Sequence, residues 1–147
     1  MAIPMLYILM RNDLESMNCG KAIAQGSHAA NAFVHHFQNT IRENGNTSSY
    51  AIEDLNKSFH EWENSTNQGF GTVIVLEGDM TSIEKTVDKY SNMGYLCSKV
   101  FDPTYPIIDG SVVHHIPLDT CAYLFLPDKD QDVEARETLK SQFKLHR

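Results

Sequence analysis

The fold is decided by residues 5–25, which read Met5-Leu-Tyr-Ile-Leu-Met10, Arg11-Asn-Asp13 and, after a polar loop, Gly20-Lys-Ala-Ile-Ala-Gln25. The first run is continuously apolar and of strand length, which is typical of a central strand buried on both faces. The apolar spacing then becomes helical, and we expect a helix from Lys21 to about Gln38. One side of this helix carries its apolar residues, namely Ile23, Ala30, Phe33, Val34 and Phe37.

Six further segments carry strand or helix patterns. The predicted helices are Tyr50–Glu63, Ser82–Met93 and Asp130–Phe143, and the predicted strands are Thr72–Glu77, Tyr95–Phe101 and Thr120–Leu126. A capping box, Thr81-Ser-Ile-Glu84, marks the start of the middle helix, and Asp128 or Asp130 marks that of the last.

Two stretches between these segments are expected to be irregular. Residues 39–49 are rich in Asn, Ser and Thr and predict a surface loop, and residues 103–117 are interrupted by three prolines and Gly110. The order of elements predicts an α/β fold: a single three-layer domain over residues 1–147, with a mixed four-stranded sheet and helices on both faces.

Composition narrows the class of protein. The 147 residues include 12 Lys+Arg and 19 Asp+Glu, so the net charge is 12 − 19 = −7. Any RNA must therefore be held by a local cluster of cations rather than by the field of the whole protein.

The chain has no apolar run long enough to span a membrane, and residues 1–10 read as an opening strand rather than a signal peptide. Three distant cysteines argue against a disulfide framework, so we expect a cytoplasmic protein.

The first connection between strand and helix carries the most informative polar residues. In an open α/β sheet, ligands bind at the carboxyl ends of the strands, where the first strand delivers Arg11-Asn-Asp13 and the third delivers Asp102. Lys21, Gln25, His28 and His35 follow at offsets of 0, 4, 7 and 14, which places them in one narrow stripe of the helix. This stripe is polar on a helix whose other face is apolar, so it faces solvent or a cleft.

Lys21 breaks a local rule. A cation in the first turn of a helix opposes the positive end of the macrodipole, at a cost of about 0.3–1 kcal/mol. Gly20, the free N–H groups of that turn and the lysine together predict an anion site. The alternative is that Lys21 is solvated or paired with Asp13.

Other kinds of site find less support. Gly20-Lys-Ala22 lacks the rest of a phosphate loop, and no Gly-x-Ser-x-Gly is present. The pairs His35-His36 and His114-His115 each offer at most one ligand, so no metal site is predicted. Cys97 and Cys121 lie within predicted strands and are expected to be core residues rather than nucleophiles.

Residues 11–29 resemble the N-terminal signature of the type-2 (archaeal/eukaryotic-type) peptidyl-tRNA hydrolases. The matching residues are Arg11-Asn-Asp-Leu14, Met17 and Gly20-Lys-Ala-Ile-Ala-Gln-Gly-Ser-His-Ala29. Weaker support follows in family order, from Trp62 and the strand at 72–76 to Asp102, Gly110-Ser111 and the last strand that closes on Pro127. The chain departs from the family in an insertion at 39–58, within an expanded helical and loop segment of about 39–71. It also departs in Asp102-Pro-Thr-Tyr-Pro106, which stands where the family has Asp-Ala-Gly-x-Thr.

The resemblance implies hydrolysis of the ester that joins a peptide to tRNA, with tRNA as partner, a homodimer as assembly and neither a metal nor a cofactor. The implied catalytic residues are Lys21, Asp102 and Thr120, although Cys121 is an alternative to Thr120 as the family threonine. The implied substrate-binding residues are Arg11, Asp13, Gly20, Gln25 and His28. His28 is alternatively a structural cap between helix and sheet.

Three other functions remain open from the sequence. The altered segment after Asp102 and the acidic balance also fit a catalytically inactive relative that binds tRNA or another protein. A hydrolase of a different ester, such as another acylated RNA end, is the second. A nucleotide-binding module is the third, and the lack of a complete phosphate loop argues against it.

Overall fold

The computed structural model describes residues 3–44, 50–127 and 132–146, and all structural statements concern these ranges. The helices are α1 (Cys19–Asn44), α2 (Tyr50–Glu63), α3 (Met80–Asn92) and α4 (Asp132–Gln142). The strands are β1 (Met5–Arg11), β2 (Val73–Gly78), β3 (Cys97–Asp109), β4 (Val112–Leu126) and β5 (Lys144–Leu145). No helix among the described residues is long and apolar enough to cross a membrane.

The strands form one mixed sheet in the order β3-β4-β1-β2-β5. β1 pairs in parallel with β2 and antiparallel with β4, and β4 pairs antiparallel with β3. The α/β class and the central position of the first strand are confirmed, but the sheet has five strands, not four. β5 is too short for a periodic pattern to reveal it, and it pairs through Lys144 and Leu145 with the end of β2.

Side chains of β1 alternate between two cores, which makes the fold three-layered. Leu6, Ile8 and Met10 pack in a core with residues of α1 and α2, while Tyr7 and Leu9 pack in one with residues of α3 and α4. Burial on both faces explains why β1 is continuously apolar.

The α1–α2 layer is held by an aromatic cluster around Phe33. The ring of Phe33 lies 4.9 Å from that of Phe125 and 5.3 Å edge-on from that of Trp62, and Phe37 stacks on Phe59 at 3.8 Å. Trp62 Nε1 also donates a hydrogen bond to the carbonyl of Thr72 at 2.9 Å. These contacts fix α2 against the chain that enters β2.

Helix boundaries differ from the predicted ones where a cap was misplaced. α1 begins at Cys19 rather than Lys21 and continues to Asn44, so residues 39–44 are helical, while 45–49 lie outside the described residues. α3 begins at Met80, because the side chain of Asp79 accepts the N–H of Ser82 and is the actual N-cap; the predicted box at Thr81 is therefore wrong. Asp128 and Asp130 also lie outside the described residues.

The largest correction concerns residues 103–117, which were expected to be irregular. They extend β3 and β4 into a two-stranded ribbon that turns at Gly110, with φ of +61°. The prolines are tolerated because β3 is an edge strand and because Pro117 has no register partner. Edge positions and bulges are where a missing N–H does least harm to a sheet.

Candidate functional site

The site is built where the start of α1 faces the middle of β3 and β4. Asn18 caps α1: its side chain accepts the N–H of Lys21 at 2.9 Å, and its carbonyl accepts that of Ala22. Within the described residues, the N–H groups of Cys19 and Gly20 have no partner and remain available at the exposed helix end. An anion site at this helix start stays a prediction, and the N–H of Lys21 is already satisfied by Asn18.

The side chain of Lys21 reaches across to β3. Its Nζ donates to the carbonyl of Pro106 at 2.7 Å and lies 5.2 Å from the centre of the Tyr105 ring. These contacts offset the unfavourable position of a cation at a helix start. Among the described residues, Nζ pairs with no carboxylate, so the ion pair with Asp13 considered from the sequence is not formed.

Gln25, one turn further along α1, connects β3 to β4. Its Nε2 donates to Asp102 Oδ2 at 2.7 Å, and its Oε1 accepts from Thr120 Oγ1 at 2.6 Å. All three side chains are buried. Asp102 also accepts, through Oδ1, from the N–H and hydroxyl of Thr104 at 2.9 and 3.3 Å. Because Gln25 donates to one carboxylate oxygen and Thr104 to the other, the carboxylate of Asp102 is held in a single orientation.

Two β-bulges bring these side chains to one side of the sheet. Val100 pairs with Cys121 and Phe101 with Asp119, so Thr120 is an extra residue in β4. Further along, Asp102 pairs with Leu118 but Tyr105 pairs with Ile116, which leaves one extra residue in β3. A bulge interrupts the alternation of side chains and is a common device beside functional sites. Thr120 and Cys121 consequently both face Gln25.

Thr120 and Cys121, the two alternatives for the family threonine, differ in their contacts with Gln25. The hydroxyl of Thr120 joins the chain to Asp102, whereas Cys121 Sγ only approaches the backbone carbonyl of Gln25 at 3.7 Å. Burial raises the pKa of the Cys121 thiol to about 12, so it stays protonated at neutral pH. The prediction that Cys97 and Cys121 are core residues is confirmed.

Asp102 is held as a carboxylate. Burial alone would raise the pKa of Asp102, but hydrogen bonds from Gln25 and Thr104 and the nearby imidazole of His28 together lower it below its usual value. His28 itself is exposed on α1, which does not fit a cap packed between helix and sheet. His35 is also exposed and lies 14 residues from Lys21, or about 21 Å along the helix axis.

Arg11 and Asp13 neutralise each other at the end of β1. Arg11 Nε and Nη2 donate to the two carboxylate oxygens at 2.8 and 3.1 Å, and Nη1 donates to the carbonyl of Asp119 at 3.0 Å. Asp13 also accepts the N–H of Met80 at 3.3 Å, at the start of α3. Hydrogen bonding from Arg11 lowers the pKa of Asp13. The pair therefore ties the site loop to β4 and α3, and its contact with substrate stays a prediction.

Sequence reasoning missed the groups that hold Lys21 and Asp102. The carbonyl of Pro106, the ring of Tyr105 and the N–H of Thr104 come from a segment that was read as irregular. Tyr105 is buried, and its hydroxyl lies 3.1 Å from that of Ser16. In the sequence, the available signal that this segment packs against the protein was an aromatic residue, Tyr105, between two prolines.

A separate apolar groove of about 420 Å³ lies against α1, outside this cluster. It is lined by residues such as Ile8, Ile23 and Val75, but by none of Lys21, Gln25 and Asp102. In the described ranges, no three His, Cys, Asp or Glu side chains are gathered to hold a metal ion.

Comparison with known proteins identifies the family of the chain. None of the curated proteins matches the chain. The family described as peptidyl-tRNA hydrolase PTH2 matches it over residues 5–133, a span that contains every residue of the cluster from Arg11 to Thr120. The chain therefore belongs to the PTH2 family of peptidyl-tRNA hydrolases.

Proposed function

We propose that the protein hydrolyses the ester between a peptide and the 3′ ribose of tRNA, and so recycles tRNA. The observation that carries this proposal is that neutral groups hold the ammonium of Lys21 one helical turn before Gln25, which in turn binds the ionised carboxylate of Asp102. A half-buried cation that pairs with no carboxylate of the described ranges suits a substrate that is an anion and that develops a further negative charge.

The reaction needs little from the protein, because an ester is an activated bond. Water forms a bond to the carbonyl carbon, the bond to the 3′ oxygen breaks, and a water proton ends on that oxygen. A lysine ammonium carries three N–H donors, and Pro106 uses one of those on Lys21. We assign the others to the oxyanion of the tetrahedral intermediate or to the terminal phosphate. A single such donor typically contributes about 2.7–4 kcal/mol.

The remaining residues act on Lys21 and on water. We assign Asp102 the role of orienting the attacking water or Lys21, since its oxygens are fixed by Gln25 and Thr104. Thr120 is buried and donates to Gln25, so we propose that it positions Gln25 rather than touching the substrate. Gly20, which precedes Lys21, and His28, two turns further along α1, are both exposed, and we propose that they contact the tRNA end. A homodimer and a cytoplasmic location also stay predictions.

The proposal is tested with N-acetyl-aminoacyl-tRNA labelled in its amino acid. We expect purified protein to release the labelled N-acetyl amino acid in the presence of EDTA, and deacylated tRNA to compete. A small activated ester such as p-nitrophenyl acetate is the control for general esterase activity. Binding of tRNA without release would contradict the proposal and select the catalytically inactive relative, and release that deacylated tRNA does not inhibit would indicate a different ester.

A further inference from the structure

The ribbon of β3 and β4 continues beyond the site as a projecting arm, which we define as residues 107–116. Its base is the pair Tyr105 and Ile116, and its tip is Gly110. Residues opposite each other in an antiparallel pair share a face. The pairs Ile107–His114 and Asp109–Val112 therefore share the face of Tyr105, while Ile108–Val113 lies on the other.

The face that carries Tyr105 is continuous with the proposed site. Tyr105 lies under Lys21 and reaches the loop before α1 through Ser16. Beyond it, Ile107, Ile116 and Val112 follow towards the tip, and we call this the site-side face of the arm. Ile116 is 39% exposed and Val112 is 53% exposed. A strip of apolar side chains thus leads away from Lys21 along this face, and beside it lie His114 and Asp109, whose Nε2 and Oδ2 atoms are 3.7 Å apart.

Exposed apolar side chains on a two-stranded ribbon call for a partner. Such a ribbon is only marginally stable alone in water, and a contiguous apolar surface on a soluble protein commonly marks a binding site. Ile107, at the base of the arm, is half-buried, and residues 108–116 are all exposed. The partner must therefore be another molecule, and the arm's position makes the substrate the nearest candidate.

Charge decides which part of the substrate the arm suits. Residues 103–118 contain no Lys or Arg, and of their two histidines, His114 is paired with Asp109 on the site-side face. RNA needs cations to replace its counterions, so this surface is a poor match for the tRNA portion. An apolar strip beside an ester site suits the acyl portion instead.

The contacts between α1 and β3 show in which direction the arm projects. Gln25 meets Asp102, and Lys21, one helical turn earlier, meets Pro106, so α1 runs opposite to β3. The arm therefore projects past the start of α1, on the far side of Lys21 from His28. From Tyr105 to Asp109 a strand rises about 13 Å, the length of about four extended residues.

From this continuity, charge and length, we propose that the site-side face of the arm binds the peptide portion of the substrate, over the first three or four residues from the ester. The proposal rests on the proposed function. It assigns the arm a selectivity for long, apolar peptides over single N-blocked amino acids, with the tRNA end held on the α1 side.

The first test uses the wild-type protein and two substrates on the same tRNA, N-acetyl-leucyl-tRNA and N-acetyl-tetraleucyl-tRNA. We expect KM to be about tenfold lower for the longer peptide, with a similar kcat. Equal KM values would overturn the inference while leaving hydrolysis intact. Release from neither substrate would instead contradict the proposed function, so the two failures are distinguishable.

The second test uses matched pairs of variants on the two faces. Val112→Ser with Ile116→Ser changes the site-side face, and Ile108→Ser with Val113→Ser changes the other, whose residues are 67% and 53% exposed. We expect only the first pair to remove the tenfold preference for the tetraleucyl substrate. Circular dichroism melting checks that both variants fold; if the first pair does not, Val112→Ser alone replaces it.

Two results would overturn the inference at this stage. An equal loss of preference in both pairs of variants would mean that the arm acts only through its stability. Weaker inhibition by deacylated tRNA in the site-side variant would mean that the face contacts RNA rather than peptide.

Discussion

The two halves of the site are carried by different kinds of backbone. Lys21 and Gln25 lie four residues apart on α1, so the helical period alone places them on one face. Asp102 and Thr120 lie on β3 and β4 beside two bulges, where the alternation of side chains is interrupted. The helical half carries the half-buried ammonium of Lys21, and the strand half carries the buried carboxylate and hydroxyl that hydrogen-bond to Gln25.

Because of this difference, we expect substitutions in the two halves to differ in their effects on turnover and on stability. Lys21 is only half buried and bonds to groups that water can replace, so changing it is expected to affect turnover more than stability. Asp102 and Thr120 are buried and hydrogen-bonded to Gln25, so changing them is expected to affect stability as well. The following predictions test that division, from the largest expected effect to the smallest.

The variant Lys21→Ala is expected to lower kcat about 10²- to 10³-fold, because it removes a donor to the developing oxyanion. The free energy of unfolding is expected to be nearly unchanged. The measurements are release of labelled N-acetyl amino acid and denaturation followed by circular dichroism. Lys85→Ala, an exposed lysine on α3, is the control and keeps full activity. Near-normal turnover of the Lys21 variant would remove the proposed mechanism.

The variant Thr120→Val is expected to lower the free energy of unfolding by about 1–3 kcal/mol, because Gln25 Oε1 then lacks its donor in a buried place. Urea denaturation measures this loss. Thr120→Ser keeps the hydroxyl and is expected to lose less stability and to retain more activity. Equal losses in the two variants would show that Thr120 acts by packing alone.

Acid is expected to weaken the contribution of Asp102 to stability. Its pKa is lower in the folded protein than in the unfolded chain, where it is about 3.9. The ionised carboxylate therefore stabilises the fold above that value, and this stabilisation is lost as the pH falls through the folded pKa. The difference in unfolding free energy between wild type and Asp102→Asn should be larger at pH 6 than at pH 3. A difference independent of pH would contradict this assignment.

Gly20→Ala tests the helical half with the smallest change. A Cβ at this position would meet Asn18 Oδ1 at 3.6 Å, an ordinary contact, so the fold accommodates it. Because alanine favours a helix, we expect stability to rise by up to about 0.5–1 kcal/mol. We expect KM for acylated tRNA to rise a few-fold, since the methyl group stands where the substrate approaches the free N–H groups. An unchanged KM would show that the substrate does not approach this turn.

Sequence alone predicted that Lys21 and Gln25 share one face of α1, but not that Gln25 is buried, and it predicted only part of the strands that carry Asp102 and Thr120. The stripe of Lys21 and Gln25 follows from helical periodicity, and the first strand follows from its continuous apolar run. The ribbon of residues 103–117 was missed because prolines are read as breakers, although an edge strand tolerates them. The direction of Thr120 depends on a bulge, which is a property of the register between two strands and not of either strand's own sequence.

Trp62 has a practical consequence, since it is the single tryptophan of the chain and is 3% exposed. Gly71 contacts it so closely that a Cβ there would come within 2.3 Å of its carbonyl oxygen. Its indole is enclosed by the rings of Phe33, Phe59 and Phe125 rather than by the groups proposed to act on substrate. Its fluorescence emission therefore provides a built-in optical probe of the helical layer, with which every substitution can be compared without attaching a dye.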